Sequence, residues 1–73
     1  MTGTELRAIR QDVGWTRERL ARYLDFSPFH VAHLERGMRR ITERTARRMR
    51  LLRTLYGLVS AVGLLEKQGS MFP

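Results

Sequence analysis

The sequence contains no cysteine, which excludes disulfide bonds and metal sites built on thiolates. Its two histidines have no acidic or cysteine neighbours at ligand spacing, so we expect no metal ion and no cofactor. The longest apolar run, residues 55–65, is about half as long as a membrane-spanning helix requires. The N-terminus also lacks the basic-then-apolar order of a signal peptide. We therefore expect a cytoplasmic protein without a membrane partner.

Acidic residues are scarce, with 7 Asp and Glu against 14 Lys and Arg in a chain of 73 residues and net charge +7. Every cation except Lys67 is an arginine. Such an excess indicates an anionic partner, with nucleic acid first and a membrane surface second. The alternative is a basic domain that has no such partner.

The chain also lacks the patterns of an enzyme, since it has no paired carboxylates, no nucleophile–base spacing and no glycine-rich phosphate loop. At this length it forms one domain, too small to enclose a substrate pocket, so we expect neither catalysis nor a small-molecule ligand. No segment has the pattern of a β-strand. The predicted fold is all-α, a compact bundle of four to five helices.

Residues 16–37 have the pattern of two short helices joined by a tight turn. Thr16 is a candidate N-cap for a helix over residues 17–24, and Ser27-Pro28 is a strong start signal for a second helix over 28–36. Apolar residues recur at helical spacing in both, and Gly37 suits the C-terminal end of the second helix. This is the helix-turn-helix pattern.

Two further helices flank this unit. Thr2 and Glu5 have capping-box spacing at the start of a helix over residues 3–13. Thr42 is a candidate cap for the last helix, whose predicted packing face comprises Ala46, Met49, Leu52 and Tyr56. We expect Trp15 and Ile41 to pack into the core.

The last helix carries a second apolar stripe, which a three-helix core cannot also bury. We predict that a second copy of the chain covers it, forming a homodimer; the alternative is that the segment folds back on its own core. Gly57 and Gly63 leave open whether one helix or two follow residue 42. We divide the chain into a DNA-binding domain (1–56), a dimerisation segment (57–67) and a flexible tail (68–73). The stripe residues are Leu51, Leu55, Leu58, Val62 and Leu65.

Residues 4–53 resemble the Cro/phage-repressor (Xre) family of DNA-binding domains. The resemblance rests on Leu6-Arg7-x-x-Arg10, on Thr16-x-x-x-Leu20-Ala21-x-x-Leu24, and on Phe26-Ser27-x-x-x-Val31-x-x-Leu34-Glu35-x-Gly37. It implies a lambda-repressor-like fold that binds double-stranded DNA. The chain departs from the family pattern at three places: Arg17 replaces the usual glutamine, Asp25 replaces the turn glycine, and Pro28-Phe29 replaces a polar pair.

The resemblance places the second helix of the unit in the major groove. Its predicted base-contacting face is Pro28, Phe29, Ala32 and His33, with apolar contact to thymine methyls and a histidine donor to guanine. Phe29 can instead be a core or interface aromatic, and His33 an idle surface residue. The resemblance also implies a structural ion pair between Arg10 and Glu35.

Phosphate contacts are predicted at helix N-termini and at the arginines around them. A charge run is usually a solvated face, and Arg47, Arg50 and Arg53 are interpreted as such. The predicted phosphate-contacting set is Arg10, Thr16, Arg17, Ser27, His30, Arg36, Arg39, Arg40 and Arg44.

The expected function is therefore transcriptional regulation, most simply repression of a palindromic operator by a homodimer. The alternative is an antitoxin-type module whose C-terminal helix binds a partner protein. A third possibility is RNA binding by the arginine-rich segment. The resemblance leaves phage, mobile-element and chromosomal settings open.

Overall fold

The computed structural model describes the backbone of residues 1–69 and the side chains of residues 1–56. Within these residues it contains four helices and no strand: α1 (Gly3–Asp12), α2 (Arg17–Leu24), α3 (Pro28–Glu35) and α4 (Glu43–Gly69). The all-α prediction is confirmed. The bounds of α2 are those predicted, and α1 and α3 each end one residue earlier than predicted.

A hydroxyl side chain begins each helix. In each case the oxygen accepts a hydrogen bond from the backbone N–H three residues later, which satisfies a donor that the helix leaves unpaired. Because these caps are local, the sequence alone locates the helix starts. The pairs are Thr2 with Glu5 (3.1 Å), Thr16 with Arg19 (3.1 Å), Ser27 with His30 (3.2 Å) and Thr42 with Thr45 (3.3 Å).

The turn between α2 and α3 depends on a left-handed residue. Asp25 has φ 61° and ψ 43°, and the following N–H of Phe26 donates to the carbonyl of Ala21 at 2.8 Å. Aspartate tolerates this region better than most residues, which explains how the turn forms without the usual glycine. The reversal is tight enough to pack α3 across α2.

One hydrophobic cluster holds the helices together. The predicted packing face of α4 is confirmed, since Ala46, Met49 and Leu52 are buried and Tyr56 is half-buried against the cluster. Ile41 also packs against the cluster, as predicted. The buried residues of the cluster are Leu6, Ile9, Leu20, Ala21, Leu24, Val31, Leu34, Met49 and Leu52.

Aromatic residues join α2 and the loop before it to α4. The Trp15 ring meets Tyr23 and Tyr56 edge to face, with centroids 5.6 and 5.4 Å away, and its indole N–H donates to the Tyr56 hydroxyl at 3.0 Å. Tyr23 donates to the carbonyl of Arg48 at 2.9 Å. Trp15 is half-buried and packs against the core, as predicted. These contacts fix the angle of α4 relative to the helix-turn-helix unit.

The start of α1 lies directly against the end of α3. A Cβ atom at Gly3 would overlap the Leu34 carbonyl oxygen and would come within 2.6 Å of the Glu35 carbonyl oxygen. No rotamer change can relieve contacts with backbone atoms. Only glycine therefore fits at this position.

The last helix is continuous. Gly57 and Gly63 lie inside α4. Each interior glycine weakens a helix by only about 1 kcal/mol, and no proline interrupts the segment, so the helix can continue through both. The boundary predicted at residue 57 thus falls within one helix. Gln68 and Gly69 also belong to α4, whereas we expected a tail from residue 68; residues 70–73 lie outside the described part. None of the described helices is long and apolar enough to span a membrane.

Candidate nucleic-acid interface

Helix α3 has one buried side and one outward side. Val31 and Leu34 are buried in the core, whereas Phe29 is 80% exposed. Phe29 is therefore not a core residue, although an interface role is compatible with this exposure. Pro28 is also exposed, and Ala32 and His33 are half-buried. The four predicted base-contacting residues thus lie along the part of α3 that the core leaves accessible.

The beginnings of α2 and α3 meet in a shallow surface depression. Two residues from the first turn of α2 and three from α3 line it: Arg17, Glu18, Pro28, Phe29 and Ala32. The depression brings charged side chains next to the apolar face of α3. Glu18 was not among the predicted site residues.

A buried glutamate at the end of α3 binds two arginines. The Glu35 side chain is only 2% exposed. Arg10 donates to it twice, from Nε to Oε2 at 2.6 Å and from Nη2 to Oε1 at 3.3 Å, and also donates from Nη1 to the Trp15 carbonyl at 2.9 Å. Arg17 donates from Nε to Oε1 at 3.1 Å. The Arg10–Glu35–Arg17 cluster links α1, α2 and α3 and keeps one net positive charge.

The two arginines of this cluster differ in exposure. The side chain of Arg10 is 12% exposed and that of Arg17 is 42% exposed. Arg10 therefore has little surface left for a phosphate, while the outer edge of Arg17 remains accessible to one. The Arg17–Glu35 pair was not predicted. Its only sequence signal is the arginine in place of the glutamine of the resembling family, and that signal does not name the partner.

A comparison with known protein families identifies this architecture. The family model described as "Helix-turn-helix domain" matches residues 3–61, which is most of the chain and contains α1, α2, α3 and the larger part of α4. The chain belongs to the helix-turn-helix domain family. This membership is consistent with the Xre-like domain expected from the motifs, and it indicates DNA binding and transcription regulation. Neither the curated proteins nor the solved structures include a significant match to the chain.

Enzymatic activity is not typical of the helix-turn-helix family. Within the described residues, no group of His, Cys, Asp and Glu side chains is arranged to hold a metal ion.

The remaining predicted phosphate contacts of this helix-turn-helix protein fall into two groups. Thr16 and Ser27 are exposed and act as the N-caps of α2 and α3. His30 is half-buried and its ring packs edge to face on Phe26 at 4.4 Å. The second group consists of exposed arginines that form no ion pair within the part of the chain whose side chains are described: Arg36, Arg39, Arg40 and Arg44.

The predicted dimer stripe begins on the exposed side of α4. Leu51 is 54% exposed and Leu55 is 49% exposed, on the same helix whose opposite side enters the core. The helix-turn-helix core thus leaves these two leucines uncovered. The other stripe residues, Leu58, Val62 and Leu65, lie outside the side chains that the structure describes.

Proposed function

We propose that the protein is a sequence-specific transcriptional repressor that binds a palindromic operator as a homodimer. The observation that carries the proposal is the outward face of α3, where Phe29 is 80% exposed beside the start of α2. Phe29 lies with the exposed Pro28 and the half-buried Ala32 in one apolar patch, and a contiguous exposed patch suits a surface that becomes covered on binding. The family membership makes duplex DNA the expected partner.

The proposed readout of the bases is largely apolar. With α3 in the major groove, Phe29 and Ala32 contact thymine methyl groups, and His33 donates to the N7 or O6 atom of guanine. Pro28 begins the helix and brings its ring to the same surface. Because this face has few hydrogen-bonding groups, DNA shape contributes to the specificity as well.

Phosphate contacts orient this face. The proposed contacts come from the capped starts of α2 and α3 with Thr16, Ser27 and His30. Arginines supply the contacts that depend on charge. Glu35 orients the guanidinium of Arg17, and Arg10 acts mainly through its ion pair with Glu35. The other proposed arginine contacts are Arg36, Arg39, Arg40 and Arg44.

The homodimer supplies the two-fold symmetry of the operator. Leu51 and Leu55 are exposed leucines one helical turn apart, and the stripe continues in the sequence with Leu58, Val62 and Leu65. Two copies joined through α4 place two recognition helices in successive major grooves, about 34 Å apart. Occupancy of a promoter site by this dimer blocks polymerase.

Selection of bound sequences from a random duplex pool tests the proposal. We expect a palindromic site, whose affinity falls roughly 10³- to 10⁵-fold between 50 and 200 mM salt if about six to ten phosphates are contacted. Arg40→Ala should weaken all sequences alike, whereas His33→Ala should relax the preference at one base position. A flat salt response, or no enrichment of any sequence, would contradict the proposal.

The exposed leucines of α4 also suit a second candidate, an antitoxin-type module that binds a partner protein. Sedimentation of the pure chain distinguishes the two. A stable dimer that dissociates on Leu55→Ala supports the repressor, and a monomer supports the partner-binding module. Competition between duplex DNA and duplex RNA for the chain tests the third possibility, RNA binding.

A further inference from the structure

Glu18 is an acid on a surface otherwise suited to a polyanion. It is exposed in the first turn of α2 and lines the depression that also contains Phe29 and Ala32. Its carboxylate forms no ion pair within the residues whose side chains are described, although Arg17 lines the same depression. Glu35 and Glu43, in contrast, each contact two arginines. Glu18 therefore remains an accessible acceptor beside the face proposed to read the bases.

An acid in this position has a narrow choice of favourable contacts on duplex DNA. It repels the phosphates, so only base-edge donors attract it, and the major groove offers two: the N4 amino group of cytosine and the N6 amino group of adenine. Adenine presents its N7 acceptor next to the amino group, and guanine and thymine present only acceptors to hydrogen bonding. A carboxylate is therefore best matched by cytosine.

We propose that Glu18 is a specificity-determining residue that accepts a hydrogen bond from a cytosine N4 amino group next to the base pair contacted by Phe29. This inference rests on the proposed function and adds a hydrogen-bonding reader to an otherwise apolar face. The competing role is a purely local one, since an acid in a first helical turn also stabilises the helix by interacting with its positive end. Because Thr16 already caps α2, the two roles are separable by experiment.

The experiment compares three full-length chains: wild type, Glu18→Gln and the control Glu5→Gln. Glu5 is likewise exposed in the first turn of its helix, so its substitution also removes one negative charge from near a helix N-terminus. Each chain is used to select sites from a random duplex pool, and affinities are then measured for the wild-type site with each base at every position. Thermal melting checks that all three chains fold.

We expect wild type to prefer cytosine at one position of each half-site by about fivefold or more, which is the lower end of what a specific base contact provides. Glu18→Gln should lose this preference or change it to adenine, whose N6 and N7 atoms match a glutamine amide. Glu5→Gln should keep it.

Two outcomes overturn the inference, and they differ in what they say of the proposed function. A Glu18→Gln chain that selects the wild-type site and only gains affinity uniformly, as Glu5→Gln does, shows that Glu18 acts through charge or helix stability alone; the repressor proposal then stands. A wild-type chain that selects no sequence removes both proposals together.

Discussion

Two glutamates in this chain each bind two arginines, but in opposite surroundings. Glu35 is buried, with 2% of its side chain exposed, and lies 2.6 Å from Arg10 and 3.1 Å from Arg17. Glu43 is 65% exposed and lies 3.1 Å from Arg50 and 3.8 Å from Arg47. The same chemical groups therefore meet once in the interior and once in water.

The difference lies in what the contacts connect. The bonds of Glu35 join three separate helices, whereas those of Glu43 stay within α4. Exposed pairs contribute little because water and salt screen them, while removal of one member of a buried pair leaves an uncompensated charge. Only the buried cluster is expected to define the tertiary structure of the site.

Glu35→Gln is expected to have the largest effect on stability of the substitutions in the two clusters. It should lower the free energy of unfolding by about 3 kcal/mol, because the 12%-exposed Arg10 loses its counter-charge. For a domain of this size, this corresponds to a fall in Tm of more than about 10 °C. Thermal melting followed by circular dichroism measures it. A loss no greater than that of Glu43→Gln would mean that Arg10 finds water or another partner.

Gly3→Ala tests the close approach of α1 to the backbone at the C-terminal end of α3, where Glu35 lies. Its Cβ would overlap the carbonyl oxygens of Leu34 and Glu35, so α1 must shift, at an expected loss of about 1–3 kcal/mol. Urea denaturation gives the value. The control is Thr4→Ala, at the exposed neighbouring position. Equal stability of the two variants would show that α1 can shift without any loss in the free energy of unfolding.

Arg17→Gln isolates the exposed arginine of the buried cluster. Glu35 keeps Arg10, so stability should change by less than about 1 kcal/mol. The slope of log affinity for DNA against log salt should decrease by about 1, as expected for one phosphate contact. Fluorescence anisotropy at several salt concentrations measures the slope, with Arg53→Gln as a variant of equal charge. The same slope in both variants would remove Arg17 from the phosphate contacts.

Glu43→Gln has the smallest expected effect. Its two arginines are 56% and 78% exposed and remain hydrated without it, so the free energy of unfolding should change by less than about 0.5 kcal/mol. The difference measured by melting should shrink further in high salt, which screens the two exposed pairs. A change comparable to that of Glu35→Gln would contradict the distinction drawn between buried and exposed clusters.

Local signals made much of the fold predictable from the sequence. Hydroxyl caps located the helix starts, and Asp25 marked the turn because its conformational preference is a property of the residue itself. The outward position of Phe29 followed from the periodicity of Val31 and Leu34. Each of these features depends on residues a few positions apart.

The features that could not be predicted depend on distant parts of the chain. Arg17 and Glu35 are 18 positions apart, and nothing in their spacing specifies the contact. The tight approach of Gly3 to the end of α3 is likewise visible only once the helices are packed. Glu18 belongs to the depression because α2 and α3 converge there, which no single helix pattern reveals.

The continuity of α4 through Gly57 has a consequence for the spacing of the operator. Successive residues of one helix are rotated by about 100° and advanced by about 1.5 Å, so each residue of α4 after Tyr56 has a definite angular phase relative to the Trp15 contact. In the proposed dimer, the number of residues in α4 therefore sets the distance and the relative orientation of the two recognition helices. One residue inserted after Tyr56 in each copy would turn the rest of α4 by about 100° relative to the core. The insertion would break the apolar stripe between Leu55 and Leu58, and it would change the half-site spacing that the dimer accepts.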